Sequence, residues 1–420
     1  MDYKKLLVIS HNCFSKTGSN GRTLANYLMG WPKEKIAQMY IHLEYPDFDI
    51  CDRYYCISDG AILKSILRRS SAGFVVQDEP IKKSDSVSYG KKKSLKNSSM
   101  FLMRELAWRS KLWNAKGLEA WLNEFSPELI LVQAGDAAFL FDLSIAISKK
   151  YKAQVVIYNT EGYYFKKVSY LPENKISRCF YPILNHNFKN AYKRLISISK
   201  CEIYNCDFLA DDYEKVFHSG SQVIMNTSEF TDENVFYPKK EKIIYAGNLG
   251  LNRHKSLIEF ANALKKVDSN MVIDVYGKTS NKNIEAELDA CAGIRFHGFI
   301  SYEELKQKIR ESKYLLHVES FDSFYKEDLK YAFSTKIADS LAVGACLFIY
   351  APQNMAVSQY FKHKNAAVLI TEPEMLVDEI KRVLNDEQVV QNYSKNGREL
   401  AESNHNIKKN REAFLAALLK

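Results

Sequence analysis

The sequence lacks an apolar run long enough to cross a membrane as a helix. A spanning helix needs about 20 mainly apolar residues. The most apolar window, residues 129–147, is interrupted by three polar side chains, Gln133, Asp136 and Asp142. The apolar residues 6–9 near the start are followed at once by His11, so we expect no secretory signal. These features predict a soluble, cytoplasmic protein.

Cysteine occurs eight times, but not in the spacings of a metal or redox site. No C-x-x-C pair is present, and the two C-x4-C pairs lack histidines at zinc-ligand spacing. We therefore interpret the cysteines as reduced thiols of a cytoplasmic protein.

Two phosphate-binding motifs are also missing. There is no complete G-x-x-x-x-G-K-[ST], which excludes P-loop chemistry, and no G-x-G-x-x-G. The segment GSNGRTLANYL offers only Gly18 and Gly21 in a G-x-x-G spacing, a loose likeness to a phosphate loop. No metal-binding D-x-D stands at a strand end, and Asp211 and Asp212 belong to a helical pattern that we interpret as a helix start.

Positive charge is concentrated in one segment. The formal net charge is +9, and residues 82–116 alone carry ten basic side chains against two acidic ones. Large apolar side chains lie among and just after these lysines: Phe101, Leu102, Trp108, Leu112, Trp113 and Trp121. Basic residues beside amphipathic rings suit an anionic membrane surface, so residues 82–121 are a candidate docking segment. The alternative is that the rings are core and the lysines a solvated face.

Apolar runs of strand length alternate with helical patterns along the chain, which indicates β-α-β units and a parallel sheet. The first series runs from KLLVIS to SQVIMN at residues 221–226, and the second from KIIYAGN at residues 242–248 to AAVLI at residues 366–370. We therefore predict two doubly wound domains, 1–228 and 229–405, facing each other across a cleft. Ligands of such sheets bind at the carboxyl ends of the strands.

Basic residues stand at two predicted helix starts in the second series. Ser334 and Thr335 are good N-caps, and Lys336 follows them in the first turn. A cation is unfavourable beside the positive end of a helix unless an anion binds there. YAGNLGLNRHKSL likewise places Arg253 and Lys255 at a helix start. Together they predict a diphosphate site; the alternative is two solvated basic helix starts.

These segments are similar to those of GT-B glycosyltransferases, in particular the large, mostly retaining family of bacterial polysaccharide and lipid-carrier sugar transferases. FSTKIADSLAVGACLFIYAP resembles the family's stretch of Ser, Lys, an acidic residue, a small residue, Gly and an apolar strand. YAGNLGLNRHKSL resembles its G-R-L-x-x-x-K-G segment. The resemblance implies a nucleotide-sugar donor held by the second domain, an acceptor held by the first, and no cofactor or catalytic metal.

The resemblance also implies roles for single residues. Arg253 stands where the family has a diphosphate-binding lysine, Asn248 where it has an arginine, and Asp339 where it has a ribose-binding glutamate. Tyr331 replaces the partner glutamate, and Glu319 is a candidate substitute. The implied donor site comprises Gly247, Asn248, Arg253, Glu319, Ser334, Thr335, Lys336 and Asp339, while Gly18 and Gly21 form an acceptor-side loop.

Two carboxylates follow strands of the first domain. Asp136 comes after ELILVQ and Glu161 after QVVIY, so either is a candidate to orient the acceptor hydroxyl or act as base. The alternatives are an N-cap for Asp136 and a loop ion pair for Glu161. A C-terminal helix at residues 406–420 has an apolar stripe, and the resemblance implies that it completes the first domain.

The predicted function is transfer of a sugar from a nucleotide-diphosphate sugar to a lipid-linked or polysaccharide acceptor in cell-surface glycan synthesis, at the inner face of the plasma membrane when docked. The alternative is a non-catalytic GT-B partner or sugar-binding subunit. A sugar-nucleotide epimerase would need its own carboxylate and histidine set, which we cannot place. A nucleic-acid binder is disfavoured because no stacking motif accompanies the basic segment.

Overall fold

The computed structural model describes residues 2–16, 19–78, 97–110, 112–171, 173–232, 239–279 and 281–420. The chain forms two compact units. The first unit comprises Met1–Asn205, Ala210–Ile224 and Arg411–Lys420, and the second comprises Cys206–Leu209 and Met225–Asn410. The predicted α/β class with two sheets of parallel strands is confirmed.

Within the described residues, the first unit holds an eight-stranded sheet in the order β4-β3-β2-β1-β5-β6-β7-β8. The strands are β1 (Leu6–Ser10), β2 (Ile36–Tyr40), β3 (Arg53–Cys56), β4 (Phe74–Val76), β5 (Leu129–Ala134), β6 (Gln154–Asn159), β7 (Ser199–Tyr204) and β8 (Ser221–Val223). The β3–β4 pair is antiparallel and the others are parallel. β1 and β5 are buried along their whole length, as expected for strands covered on both faces.

Helices cover this sheet. They are α1 (Ser19–Leu28), α2 (Asp59–Arg68), α3 (Ser98–Arg109), α4 (Lys116–Phe125), α5 (Ala138–Tyr151), α6 (Lys175–Arg178), α7 (Tyr181–Ile196) and α8 (Asp207–Phe217). Asp211 and Asp212 thus lie inside a helix, not at its start.

The second unit holds, in its described part, a six-stranded parallel sheet in the order β11-β10-β9-β12-β13-β14. Its strands are β9 (Lys240–Ala246), β10 (Ile273–Tyr276), β11 (Ile294–Gly298), β12 (Ser312–Val318), β13 (Cys346–Tyr350) and β14 (Val368–Ile370). Its helices are α9 (Arg253–Val267), α10 (Lys282–Asp289), α11 (Tyr302–Glu311), α12 (Tyr325–Asp328), α13 (Thr335–Ala342), α14 (Ala356–Phe361), α15 (Leu376–Leu384) and α16 (Glu387–Asn404).

The last helix, α17 (Ile407–Leu419), supplies its C-terminal part to the core of the first unit. Phe414 is fully buried and stacks on Tyr27 with ring centroids 4.5 Å apart. Tyr158 of β6 meets Phe414 edge-on at 5.7 Å. The apolar stripe predicted from the sequence therefore packs into the core.

The predicted docking segment is only partly described. Its lysines at positions 82, 83, 91, 92, 93, 96 and 111 lie outside the described residues. Two of its aromatic residues do not face solvent: Trp108 stacks on Phe139 at 4.2 Å, and both Trp108 and Trp121 are 5% exposed. Those two rings are therefore part of the core, with Trp121 packed on Tyr55 of β3 at 5.4 Å between ring centroids. Among the described residues of this segment, the large exposed apolar side chains are Met103, Leu106 and Leu112.

Candidate functional site

The sheet of the second unit has a topological switch point at the carboxyl ends of β9 and β12. These strands are neighbours, and the chain winds away from them in opposite directions, first to β10 and β11 and later to β13 and β14. Ligands of open parallel sheets bind at such a switch point, where the loops after the two strands separate. Arg253 follows β9 and Glu319 follows β12, so the fold brings two predicted donor residues to this position.

Arg253 and Glu319 form a buried ion pair there. Arg253 Nε donates to Glu319 Oε2 at 2.7 Å, and the two side chains are 11% and 2% exposed. His317 Nε2 lies 3.1 Å from the other carboxylate oxygen. Burial alone would raise the pKa of Glu319, but the Arg253 charge and the His317 contact outweigh it and lower the pKa. Glu319 is therefore an ionised partner of Arg253.

The loop before α9 is a tight turn that fixes the start of this helix. Asn248 Oδ1 accepts from the Gly250 amide at 2.8 Å. A Cβ on Gly247 would lie 2.6 Å from the Tyr245 hydroxyl, so a side chain there would displace the Tyr245 ring. Asn252 has a positive φ of 61° and donates to Asp322 at 3.0 Å.

Lys255 lies in the first turn of α9 and is exposed. It lines a cavity of about 520 Å³ together with Asn252, Ser320 and Asp322. The Lys255 charge also helps to lower the pKa of Asp322, behind burial, which raises it, and the hydrogen bonds Asp322 receives. The cavity thus has the N-cap of α9 and an exposed cation on one side, which suits an anion, while the carboxylates of Glu259 and Asp322 also line it.

The N-terminus of α13 also has the predicted geometry. Ser334 is the N-cap, and its hydroxyl accepts from the Lys336 amide at 3.3 Å. Thr335 is the first helical residue. Lys336 is half-buried and shares a small cavity with His317 and Asp339. The structure thus brings Lys336 near His317, the imidazole that contacts Glu319.

Asp339 lies inside the unit instead of at its surface. Its side chain is 4% exposed. Oδ1 accepts from the Ser228 hydroxyl at 2.7 Å, and Oδ2 lies 3.3 Å from the Tyr302 hydroxyl. The carboxylate predicted to hold ribose therefore ties α13 to the segment before β9. Tyr331, where the family has a glutamate, is buried against Phe208.

The first unit has its own switch point, between β1 and β5. His11 follows β1 and Asp136 follows β5, and His11 Nε2 lies 3.2 Å from Asp136 Oδ1. Desolvation would raise the pKa of Asp136, but His11 and the charges of Arg104 and Lys166 outweigh it and lower the pKa to about 2. The carboxylate is thus held ionised with 45% of its side chain exposed.

The remaining predicted residues are Glu161, Gly18 and Gly21 of the first unit. Glu161 is half-buried after β6, the neighbour of β5 in the sheet. Gly21 lies in α1, where a Cβ would come 2.2 Å from the Cys13 carbonyl oxygen, so this glycine permits close packing of α1. Gly18 lies outside the described residues.

Sequence reasoning missed the two histidines of these sites, His11 and His317. Each directly follows or ends an apolar strand, as in LLVISH and KYLLHV. The position after a strand of a parallel sheet is the signal that could have identified His11.

The chain is similar to a known protein family in sequence and to solved structures in fold. Residues 253–416 match the family model described as glycosyl transferase-like. HepE from Anabaena, in complex with UDP, superposes with a TM-score of 0.64 at 11% identity, covering 99% of this chain and 99% of HepE. This chain has the GT-B fold.

Two further GT-B structures are similar over the same length. WaaG, a glycosyltransferase involved in lipopolysaccharide biosynthesis, has a TM-score of 0.56 at 11% identity and covers 98% of this chain and 99% of its own. A variant of TarM from S. aureus, in complex with fondaparinux, α-GlcNAc-glycerol and UDP, has a TM-score of 0.60 at 11% identity, covering 99% and 100%. No curated protein matches this GT-B chain in sequence. Across its described residues, no helix is both long and apolar enough to cross a membrane.

Proposed function

We propose that this GT-B protein is a glycosyltransferase that moves a sugar from a nucleotide-diphosphate sugar to a glycan or lipid-linked acceptor in cell-surface glycan synthesis. The observation that carries the proposal is the switch point of the second unit, where Arg253, Glu319 and Lys255 lie at the carboxyl ends of β9 and β12. HepE, a similar structure, binds UDP and UDP-glucose. We assign the donor to the second unit and the acceptor to the first.

The donor diphosphate is proposed to bind between basic groups and helix N-termini. Lys255 in the first turn of α9 and Lys336 in the first turn of α13 each add a cation to the positive end of a helix. Such groups stabilise the negative charge that develops on the leaving diphosphate. Arg253 Nε is bonded to Glu319, so this side chain contributes by holding the loop before α9 in place.

We propose that no metal or other cofactor is needed, because these cationic groups supply the charge that a metal would supply. Turnover in EDTA equal to turnover without it is the expected result. A requirement for added Mg²⁺ or Mn²⁺ would contradict this part of the proposal.

Asp136 and Glu161 are proposed to serve the acceptor side, with Gly21 shaping the loop after β1. Resemblance to a mostly retaining family favours retention at the anomeric carbon. The anomeric configuration of the product, read from its one-bond C–H coupling by NMR, tests that preference.

The experiment that tests the function combines binding with turnover. Isothermal titration against UDP, GDP, ADP and dTDP should show tight binding of one of them. Release of that diphosphate from its sugar nucleotides should then be faster with a hydroxyl acceptor, such as octyl β-glucoside, than without one. No binding of any nucleotide would contradict the proposal.

The second candidate is a GT-B partner that binds a sugar nucleotide without transferring the sugar. It is favoured by the ion pair between Arg253 and Glu319 and by the bonds of Asp339 to Ser228 and Tyr302, which engage three of the predicted donor groups. Nucleotide binding without hydrolysis or transfer would support this candidate over the enzyme.

Docking on an anionic membrane through residues 82–121 is proposed for the lipid-linked acceptor. Each basic residue near such a surface contributes on the order of 1 kcal/mol. Wild type should therefore sediment with phosphatidylglycerol vesicles at low salt and be released at high salt. A variant with Lys91, Lys92, Lys93 and Lys96 changed to Ser should bind nucleotide but not vesicles. Equal sedimentation of both proteins would refute the docking segment.

A further inference from the structure

An apolar groove lies between α2 and α3 on the first unit, and it encloses a cavity of about 230 Å³. Ile62 and Leu63 of α2 line one side, and Met100, Met103 and Ala107 of α3 line the other. Leu63 is 54% and Met103 63% exposed, so the groove is open to solvent along its rim. At about 30 Å³ for a group the size of water, the cavity has room for a run of about eight methylene groups.

Polar side chains close one end of the groove and bind one another. Asp59 Oδ1 accepts from Arg104 Nε at 2.9 Å and from Trp108 Nε1 at 2.8 Å. The Trp108 ring stacks on Phe139 of α5 at 4.2 Å between centroids, and the Arg104 guanidinium lies 4.9 Å from the centre of the same ring. These contacts hold this end in place, while the rest of the groove offers a ligand mainly apolar contacts, as binding pockets usually do.

The apolar surface continues beyond the cavity along both helices. Leu67 follows Leu63 by one turn of α2 and is 82% exposed, and Leu106, three residues after Met103, is 61% exposed. A strip between two helices is long and narrow, so it suits a linear chain better than a flat ring. The thioether side chains of Met100 and Met103 can adapt to such a chain. Contiguous exposed apolar surface is typical of a binding site.

The charges beside the groove favour an anionic lipid over a neutral one. The charged residues of α2 after Asp59 are Lys64 and Arg68, both exposed, and Arg69 follows at the end of the helix. Basic side chains at the edge of an apolar surface attract lipids with phosphate groups. A lipid that carries a phosphate between its sugar and its hydrocarbon chain has both features that this surface matches.

The closed end of the groove lies at the same edge of the sheet as Asp136. Asp59 follows β3 and Asp136 follows β5, and both strands run parallel to β1 and β2. Phe139, which supports Trp108, comes three residues after Asp136. The charge of Arg104 is also one of those that outweigh desolvation and hold the pKa of Asp136 low. The groove therefore begins close to the carboxylate proposed to serve the acceptor.

We propose that the α2–α3 groove binds the hydrocarbon chain of a lipid-linked acceptor, while the acceptor's sugar lies at Asp136. This inference rests on the proposed function and specifies its acceptor as an anionic amphiphile with a long, flexible chain. The chain passes from the Asp59 end between Leu63 and Met103 and continues towards Leu67. Each methylene that leaves water on binding increases the affinity about fourfold, which corresponds to about 0.8 kcal/mol.

The first test varies the length of the chain on one acceptor sugar. Methyl, hexyl and octyl β-glucoside share the same sugar and are used below their micelle concentrations. Because each added methylene can leave water in the groove, the KM for the acceptor should fall by about 30-fold or more from the methyl to the octyl compound, with little change in kcat. A wild-type KM that does not depend on chain length would overturn the proposal.

Two groove variants, each with a matched control, locate the chain. Ala107→Phe fills the groove with a ring and should remove the dependence of KM on chain length, while turnover of methyl β-glucoside stays as in wild type. Ala413→Phe places the same ring on an exposed alanine of α17 and should keep the wild-type dependence.

Met103→Gln is a milder change at an exposed position, so it tests the groove without a large ring. We expect it to raise the KM for octyl β-glucoside about tenfold, since the polar amide replaces an apolar wall. Met375→Gln changes another exposed methionine and should leave that KM unchanged. A wild-type dependence on chain length in both Ala107→Phe and Met103→Gln would overturn the assignment to this groove.

A readout without turnover distinguishes failure of this site from failure of the proposed function. Dodecyl phosphate, an anionic single chain without a sugar, is added below its micelle concentration to protein labelled with ¹³C-methyl methionine. The NMR signals of Met100 and Met103 should shift to saturation, and that of Met375 should not. Saturable shifts without turnover of any donor would refute the proposed function but support the groove. Unshifted Met100 and Met103 would overturn the inference even if sugar transfer is observed.

Two other occupants of the groove would give different results. Shifts of Met100 and Met103 with phosphatidylglycerol vesicles, but not with dodecyl phosphate, would indicate contact with a membrane surface instead of a bound chain. A dimer in sedimentation velocity that is lost in Met103→Gln would indicate a second copy of this protein. Either result would overturn the proposed site for the acceptor's chain.

Discussion

At the scale of single residues, the Arg253–Glu319 pair is the most consequential contact of the second unit. Both side chains are buried, so removing one charge breaks the ion pair and leaves the other charge in a poorly solvated position. Breaking a buried pair in this way costs about 3–5 kcal/mol. We expect Glu319→Gln to lower the free energy of urea-induced unfolding by that amount.

The control for this prediction is Glu399→Gln, which removes an exposed partner 3.9 Å from Lys395. Surface pairs contribute about 0–1 kcal/mol, so its unfolding curve should nearly match wild type. Because the pKa of Glu319 is lowered in the folded state, its contribution is present at neutral pH and is lost as pH falls through that pKa. Equal stability of both variants would contradict the role of the buried pair.

His405 predicts a second pH dependence. It is fully buried, with Nδ1 2.7 Å from the Asn226 carbonyl oxygen and Nε2 2.9 Å from the Tyr360 hydroxyl. Burial lowers its pKa from 6.5 to about 4. Between these values the unfolded chain binds more protons than the folded one, so the free energy of unfolding rises with pH by up to about 3 kcal/mol.

His405→Gln should flatten this rise when urea unfolding is compared at pH 4.5 and pH 7. The exposed His363, changed to Gln, serves as the matched variant and should retain the wild-type slope. A wild-type slope in His405→Gln would mean that another group titrates in this window.

At the scale of elements, the N-terminus of α13 gives the most direct test of donor binding. Lys336 adds a charge at the positive end of this helix. A hydrogen bond to a charged group contributes about 1.5–3 kcal/mol, so Lys336→Ala should weaken UDP binding about tenfold or more in isothermal titration. Lys381→Ala, an exposed change in the last turn of α15, should leave the affinity unchanged. Unchanged affinity in both would remove Lys336 from the proposed site.

The strands that could be read from the sequence are those with unbroken apolar runs, such as β5, β6 and β12. β2 was missed because Gln38 interrupts its pattern. Gln38 is nevertheless fully buried, since it accepts from the Phe14 amide at 2.8 Å and donates to Ser10 Oγ at 2.9 Å. A polar residue satisfied in this way cannot be distinguished from an exposed one by pattern alone.

The sites were predictable to the extent that they depend on local sequence. Ser334 as an N-cap follows from its position before an apolar helix. The pairing of His11 with Asp136 does not, because it requires β1 and β5 to be neighbours although three strands separate them along the chain. The hydrogen bond from Ser228 to Asp339 likewise could not be predicted from the sequence, since it depends on how the segment before β9 packs on α13.

At the scale of the whole molecule, the end of α17 is expected to matter most for the first unit. Phe414 is fully buried between Tyr27 and Tyr158. Large-to-small changes of buried aromatic residues cost about 3–5 kcal/mol, so Phe414→Ala should destabilise the first unit by that amount in urea. Glu412→Ala changes an exposed residue of the same helix and should have little effect. A comparable loss of unfolding free energy in both variants would indicate that any change in α17 destabilises the unit, and not the loss of Phe414 packing.

This arrangement has a consequence for biosynthesis. A ribosome makes the chain from its N-terminus, and domains usually fold in that order as they emerge. Here the core of the first unit includes residues 411–420, which are translated after residues 225–410 of the second unit. The core of the first unit therefore cannot be completed, and the space for Phe414 remains unfilled, until the second unit has been synthesised. The nascent chain exposes apolar surface for all of that time, and it is in this interval that a chaperone would be needed.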